Sequence, residues 1–388
     1  MNIGIDANCL IFERAGVGKY AQNIIKNLLK IDQKNHYFLY FSFLRHRSKR
    51  EKIIKDFLAS TGKQKNVTYK IIPMPARWYE FLTATNFPVT SLIKDKIDVF
   101  FAPYASGIPK KGFKKNVFTC HDLVFLRFPE HRGKGLSNYY LKRHKIAIEN
   151  SKKIIVPSRA TKNDLKEFLG VSYKEITVIY EAADEHFRPL KNDNQILNII
   201  SRYFDPKIKY ILSVGTLEPR KNLIKLVEAY LLLPHSIQNE YHLVLTGGKG
   251  WNNELLNKTI VNLNLKDKVI FPGFVSDEDL PYIYSKASIF VYPSLYEGFG
   301  LPPLEALACG TPVVVANNSS LPEVVGSSAV LIDATKEEEI SRAIKEILSK
   351  EKLREKLKKL GIAQAKKFSW KVSAQETLKV FEEINKGK

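Results

Sequence analysis

The chain has 388 residues, with 61 Lys and Arg against 40 Asp and Glu, and a formal net charge of +21. A hydrophobic fraction of 44% with 11% aromatics is enough for packed cores and argues against a disordered chain. At about 150 residues per domain the length suggests two domains, and no run approaches the roughly 20 apolar residues that span a bilayer, so an integral membrane protein is not expected.

Met1 to Leu10 lacks a basic segment ahead of an apolar run and reads as a first strand, not a signal peptide. Cys9, Cys120 and Cys309 are too few and too scattered for a disulfide framework or a zinc site, which makes a reducing, cytoplasmic location the expectation. The positive charge is uneven. Residues 1–190 hold 34 Lys and Arg against 17 Asp and Glu, a net +17, and the remainder is nearly balanced at +4. Clusters recur at Arg45, Arg47, Lys49, Arg50 and Lys52, at Lys110, Lys111, Lys114 and Lys115, and at Arg132, Lys134, Lys142, Arg143 and Lys145. Either these only keep the chain soluble, or the first half faces an anionic partner such as lipid headgroups, phosphates or nucleic acid.

Taken in chain order, Ile3–Ile5 reads as a strand, followed by a helix with Ala21, Ile24, Ile25 and Leu28 on one face. Further strands are predicted at Tyr37–Phe43, Val67–Ile72, Asp98–Phe101, Asn116–Thr119, Lys153–Val156 and Ile176–Ile179. The second half repeats the rhythm at Tyr210–Val214, His242–Thr246, Val269–Phe271, Ser288–Val291, Pro312–Ala316 and Ala329–Ile332. Helices are predicted between them at about Leu223–Leu232, Trp251–Leu263, Asp277–Lys286 and Leu301–Ala308. Strands alternating with helices predict an α/β chain of two doubly wound parallel sheets. The predicted domains are 1–187 and 205–368, with the boundary in the polar stretch 187–208 and a final helix in 369–388. Ligands of such sheets bind beyond the carboxyl ends of the strands, and the expected site is a cleft between the domains.

Four loops after strands carry polar chemistry. Ala15-Gly16-Val17-Gly18-Lys19-Tyr20 opens the first helix, where unpaired N–H groups face an anion; by itself it is also what a plain turn and cap would look like. Cys120-His121-Asp122 puts a histidine at a strand end, as a hydrogen-bond donor, an acid or base, or a structural ring bonded to a local carbonyl. Gly215-Thr216-Leu217-Glu218-Pro219-Arg220-Lys221-Asn222 places two cations at a helix start, the wrong sign for the helix dipole unless an anion docks there. Tyr292 to Ala306 holds Glu297, Gly298, Gly300, Pro302 and Glu305. Its glycines admit a close ligand, Pro302 suits a first helical turn, Glu305 is expected in that turn, and the two carboxylates are suited to hydroxyl groups. Ser276-Asp277-Glu278-Asp279 reads as a helix cap and not a metal site. Trp78, Trp251 and Trp370 read as packing residues, with Trp78 beside Arg77 open to contact with an acceptor or lipid.

Glu297-x7-Glu305 enclosing Gly-Phe-Gly-Leu-Pro, with Cys309-Gly310-Thr311-Pro312 and Leu321-Pro322-Glu323-Val324, resembles the signature of family 4 retaining glycosyltransferases of the GT-B fold. The loops at 119–122 and 215–222 look like the bacterial mannosyltransferase branch, and Phe368-Ser369-Trp370 looks like the family tail that crosses back onto the first domain. The resemblance implies two Rossmann-like domains facing across a cleft, the first binding an acceptor and the second a nucleotide-diphosphate sugar. It assigns the diphosphate to Arg220 and Lys221, completed by Gly16 and Gly18, and the ribose to Glu305. The sugar falls to Glu297, Gly298, Phe299, Gly300 and Leu301, the region near the anomeric carbon to His121, and the base to Gly273 and Phe274. No metal or other cofactor is expected. The implied reaction is retaining transfer of a hexose, best mannose from GDP-mannose, to a lipid-linked or envelope glycan by a cytoplasmic protein that can sit peripherally on the anionic inner face of the membrane. The alternatives are a UDP- or ADP-sugar with a soluble acceptor and, remotely, a basic nucleic-acid-binding protein; no nucleic-acid partner is expected. Two positions depart from the family pattern. Thr216 stands where many relatives have Arg, and Tyr180-Glu181-Ala182-Ala183-Asp184 replaces the usual Asn-Gly-hydrophobic-Asp.

Overall fold

A computed structural model describes residues 1–12, 16–62, 64–129, 134–248, 250 and 254–387. Ala15, Arg132 and Trp251, which the sequence singled out, lie outside the described residues, as does the side chain of Lys134. The chain divides into two compact units, Met1–Glu181 with Ser369–Lys388, and Ala182–Phe368.

In the first unit seven strands run β1 Asn2–Asp6, β2 His36–Ser42, β3 Val67–Ile72, β4 Val99–Ala102, β5 Asn116–Thr119, β6 Lys153–Val156 and β7 Ile176–Val178. They form one parallel sheet in the order β3-β2-β1-β4-β5-β6-β7. In the second unit β8 Lys209–Val214, β9 Tyr241–Thr246, β10 Val269–Gly273, β11 Ile289–Tyr292, β12 Val313–Ala316 and β13 Val330–Ile332 pair in the order β10-β9-β8-β11-β12-β13, again all parallel. The central strands are near-continuous apolar runs, such as Val-Phe-Phe-Ala in β4 and Val-Val-Val-Ala in β12, with every residue buried. That is the pattern of a parallel sheet covered on both faces. Each sheet reverses its winding once, between β1 and β4 in the first unit and between β8 and β11 in the second. The crevice outside the strand ends at such a reversal is where doubly wound sheets take their ligands.

The last helix, Trp370–Asn385, belongs to the first unit. Its Trp370 ring meets Tyr20 at 6.0 Å, its Phe381 ring meets Phe101 at 5.3 Å, and Ser373 donates to the Tyr180 carbonyl at 2.5 Å.

Several expectations shift. The second unit begins at Ala182, ahead of the stretch in which the sequence placed the boundary, and the polar run after Lys191 opens a helix, Asp193–Ile200, capped by Asn192. Polarity there reflects an N-cap and a solvent face, not a bare linker. The helix expected from Asp277 starts at Leu280, because Ser276 caps a preceding turn by accepting from the Asp279 N–H at 3.2 Å. Trp370 is buried, whereas Trp78 is 62% exposed. All three cysteines are buried.

Candidate active site

The loops after β8 and β11 meet at the reversal of the second sheet. Pro219–Lys221 forms a single 3-10 turn, and Asn222, in the left-handed region at φ 57°, turns the chain into the helix Leu223–Leu231. The two cations therefore sit just ahead of that helix and not in its first turn. The strand-end loops are pressed together: a Cβ on Gly247, at φ 151°, would lie 1.9 Å from the Gly215 carbonyl oxygen, so only glycine fits there.

Arg220 and Lys221 both reach Glu297. Arg220 Nη1 lies 2.7 Å from Glu297 Oε2, and Lys221 Nζ lies 2.6 Å from Oε1. Oε1 also accepts from the Tyr292 hydroxyl at 2.9 Å and the Ser294 hydroxyl at 2.6 Å. Arg220 further donates to Glu218 Oε1 at 2.6 Å and to the Tyr296 carbonyl at 2.6 Å. Burial pushes the Glu297 carboxyl up, but the charges of Arg220 and Lys221 and the bonds from Lys221 and Ser294 outweigh it and bring the pKa down to about 2. Burial, and then the neighbouring Arg220, push the Lys221 ammonium down, against the pull of Glu297. Glu297 is thus a permanent anion that can only accept hydrogen bonds.

Glu305 is 4% exposed and accepts from the Tyr284 hydroxyl at 3.0 Å. It does not lie in the first turn of its helix as expected. The helix runs Leu301–Ala308 with Pro302 near its start, and Glu305 is one turn further in. Gly300 caps that helix at φ 112°. The Phe299 ring packs on Phe368 at 5.8 Å while its carbonyl accepts from Ser320 at 2.6 Å, and Gly298 is buried beside it. Leu301 is half-buried at the helix start. Gly273 ends β10 at φ 79°, two strands from the cations, and its carbonyl accepts from the Gly247 N–H at 3.0 Å; Phe274 is 63% exposed.

The first unit holds a second constellation. Gly16 and Gly18 lie in the first turn of the helix Gly16–Ile31, and Tyr20 on that helix meets the His121 ring edge-on at 4.7 Å. His121 Nε2 is 2.8 Å from the Pro103 carbonyl oxygen, and Nδ1 is 3.4 Å from Glu181 Oε1. At the sheet reversal Asp6 ends β1 fully buried. Burial drives its pKa up to about 6, with bonds from Asn8 and Tyr104 opposing. Arg143 is buried nearby, donating from Nη2 to Thr83 and to the Ser106 carbonyl, while its Nε and Nη1 make no hydrogen bond among the described residues.

The structure thus joins Arg220, Lys221 and Glu297 directly, and sets Tyr20, on the helix that Gly16 and Gly18 open, against His121. The roles of Glu218, Tyr292, Ser294, Glu181, Asp6 and Arg143 were not read from the sequence. Glu181 stood out there as part of a departure from the family pattern, Arg143 only as a member of a basic cluster, and Glu218 and Tyr292 only as members of the quoted loops.

The description "Glycosyltransferase Family 4" matches residues 14–187, and "Glycosyl transferases group 1" matches residues 198–364. The chain is 35% identical over 268 residues to an O-antigen chain mannosyltransferase B of Escherichia coli, a match that spans 69% of this chain and 70% of that one. It is 32% identical over 285 residues to a serotype-specific mannosyltransferase WbdA of Escherichia coli, across 72% of this chain but only 35% of the longer relative. Among solved structures, sucrose-phosphate synthase from Thermosynechococcus elongatus superposes with a TM-score of 0.78 at 19% identity over all of both chains, a likeness of fold.

Proposed function

The chain belongs to the family 4 glycosyltransferases, and from that membership we propose that it transfers mannose from GDP-mannose to a glycan acceptor with retention at the anomeric carbon. The observation that carries the reading is the junction of Arg220, Lys221 and Glu297 at the reversal of the second sheet. The names of the similar proteins support mannose and a polysaccharide acceptor.

The chemistry follows from the groups present. As the bond from the anomeric carbon to the donor phosphate breaks, negative charge builds on the departing diphosphate. Arg220 and Lys221 are positioned to stabilise it with charge-assisted bonds, so the reading needs no metal ion. The acceptor hydroxyl attacks from the same face and gives its proton to an oxygen of the departing phosphate. Glu297, ionised throughout the neutral range, accepts from sugar hydroxyls. The same property argues against a glycosidase, whose acid must hold a proton near neutral pH.

A peripheral membrane location is supported by a short helix, Ala76–Thr83, that exposes Trp78 at 62% and Phe81 at 59% next to exposed Arg77 in the basic first unit. Among the described residues no helix is long and apolar enough to cross a membrane. An acceptor anchored in lipid accords with this surface, and flotation with anionic vesicles tests it. Failure to float at moderate salt favours a soluble acceptor.

The deciding experiment incubates the chain with labelled GDP-mannose, UDP-sugars and ADP-sugars and a lipid-linked glycan extract, with and without EDTA. Transfer from GDP-mannose that survives EDTA is expected. If Arg220→Ala transfers as fast as the wild type, the assignment is wrong. Thermal shift with GDP, UDP and ADP separates the bases, since a nucleotide at a hundredfold excess over its Kd stabilises the fold by about 2.7 kcal/mol.

A further inference from the structure

The sequence offered His121 as a hydrogen-bond donor, an acid or base, or a structural ring bonded to a local carbonyl, and its surroundings bear on each of these. The Pro103 carbonyl 2.8 Å from Nε2 can only accept, so Nε2 carries a hydrogen. Nδ1 faces Glu181, whose side chain is only 6% exposed. A carboxylate so far out of water needs a cationic or donating partner, and the imidazole edge is within 3.4 Å. Both ring nitrogens therefore look at acceptors.

The ring is also held mechanically. Tyr20 packs against it edge-on at 82°, with its hydroxyl 2.8 Å from the Thr119 hydroxyl, and the Trp370 ring packs on Tyr20 in turn at 6.0 Å. The His121 carbonyl accepts from Thr161 at 3.4 Å. The charged and titratable groups around the ring are Glu181 after β7, Asp122 in its own loop, Tyr20 on the helix Gly16–Ile31 and His144 on the helix Lys134–Glu149. His144 is buried, and burial pushes it towards the neutral form, so it opposes a charge on His121 only weakly.

We propose that Glu181 is a positioning residue for the transfer reaction, holding the His121 ring doubly protonated so that His121 acts as a fixed positive charge and takes no proton from the acceptor. The proposal deepens the glycosyltransferase reading and rests on it. Burial alone would favour the neutral ring, but the bond and charge of Glu181, with smaller contributions from the Pro103 carbonyl and Asp122, carry the net effect upward from the ordinary value.

Two measurements test this. Nitrogen-15 NMR of the histidine rings, with His121 assigned by its loss in His121→Gln, is recorded against pH for the wild type, Glu181→Gln and Glu181→Asp. Two protonated ring nitrogens are expected in the wild type, with a midpoint above 6.5, the ordinary histidine value. In Glu181→Gln the midpoint should fall, because the close carboxylate that favours the charged ring is gone. Glu181→Asp should restore most of it. The rate of transfer from GDP-mannose is then followed against pH. Its falling limb should move to lower pH by the same shift in Glu181→Gln and return in Glu181→Asp. A singly protonated ring in the wild type, or equal midpoints in wild type and Glu181→Gln, overturns the proposal. If Glu181→Gln does not fold, Glu181→Asn is read in its place. A wild type that transfers no sugar sinks the functional reading, whereas the ring titration still decides whether Glu181 holds the charge.

Discussion

Lys221 Nζ lies 2.6 Å from Glu297 Oε1, so the ammonium proposed to meet a diphosphate is already bound to the carboxylate proposed to meet a sugar. Arg220 completes the arrangement by bridging Glu297 and Glu218. Two cations and two anions balance locally. The cluster is a preorganised set of donors and acceptors, not a bare patch of positive charge, and a bound diphosphate would share the guanidinium with its carboxylates. Preorganisation of this kind lowers the cost of reorienting groups as charge develops in the transition state.

Arg220→Ala removes a fork of charge-assisted bonds. Each is worth about 1.5–3 kcal/mol, so initial rates of transfer should fall by roughly 10- to 150-fold. Folding should suffer less, because Glu297 keeps Lys221, Tyr292 and Ser294. Rates and urea midpoints measured on the same preparation separate the two effects.

Glu297→Gln should cost stability in a pH-dependent way. The carboxyl is held at about 2 in the folded chain against an ordinary 4.5, so its contribution is present above about 4.5 and fades as pH falls towards 2. The difference corresponds to roughly 3 kcal/mol at neutral pH. Urea midpoints of wild type and variant should differ most near neutrality and converge on acidification.

Asp6→Asn should show the opposite sign. Burial raises the Asp6 carboxyl from 3.8 to about 6, so the folded state favours its protonated form. The associated stability is full below about 3.8 and lost as pH rises through about 6. The variant should therefore gain on the wild type as pH rises from about 4 to 7, by up to about 3 kcal/mol. A constant difference across that range would show that Asp6 is ionised and paired.

Gly247→Ala would drive a methyl group into the Gly215 carbonyl at 1.9 Å. Backbone on both sides cannot yield as a flexible side chain would, so the loops that carry Arg220 and Lys221 must part from the end of β9. A loss of more than about 2 kcal/mol is expected from strain of this kind. Transfer should fall with it, even in preparations that remain folded.

The amino-acid sequence by itself determined the thirteen strands of the two sheets and the loops that carry chemistry. Buried parallel strands must be short apolar runs, and helix starts, glycines and prolines mark the turns between them, so these features are written within a dozen residues of one another. The motif from Glu297 to Glu305 was legible for the same reason. Only the tertiary structure decided which charges meet. Strand order sets β8 beside β11, and so brings Lys221 to Glu297. It likewise carries Glu181 to His121 and leaves Asp6 and Arg143 buried at one end of the first sheet. Such partners lie far apart in the chain, and no local spacing encodes them. Their protonation states follow from burial and from each other, quantities that exist only once the sheets are assembled.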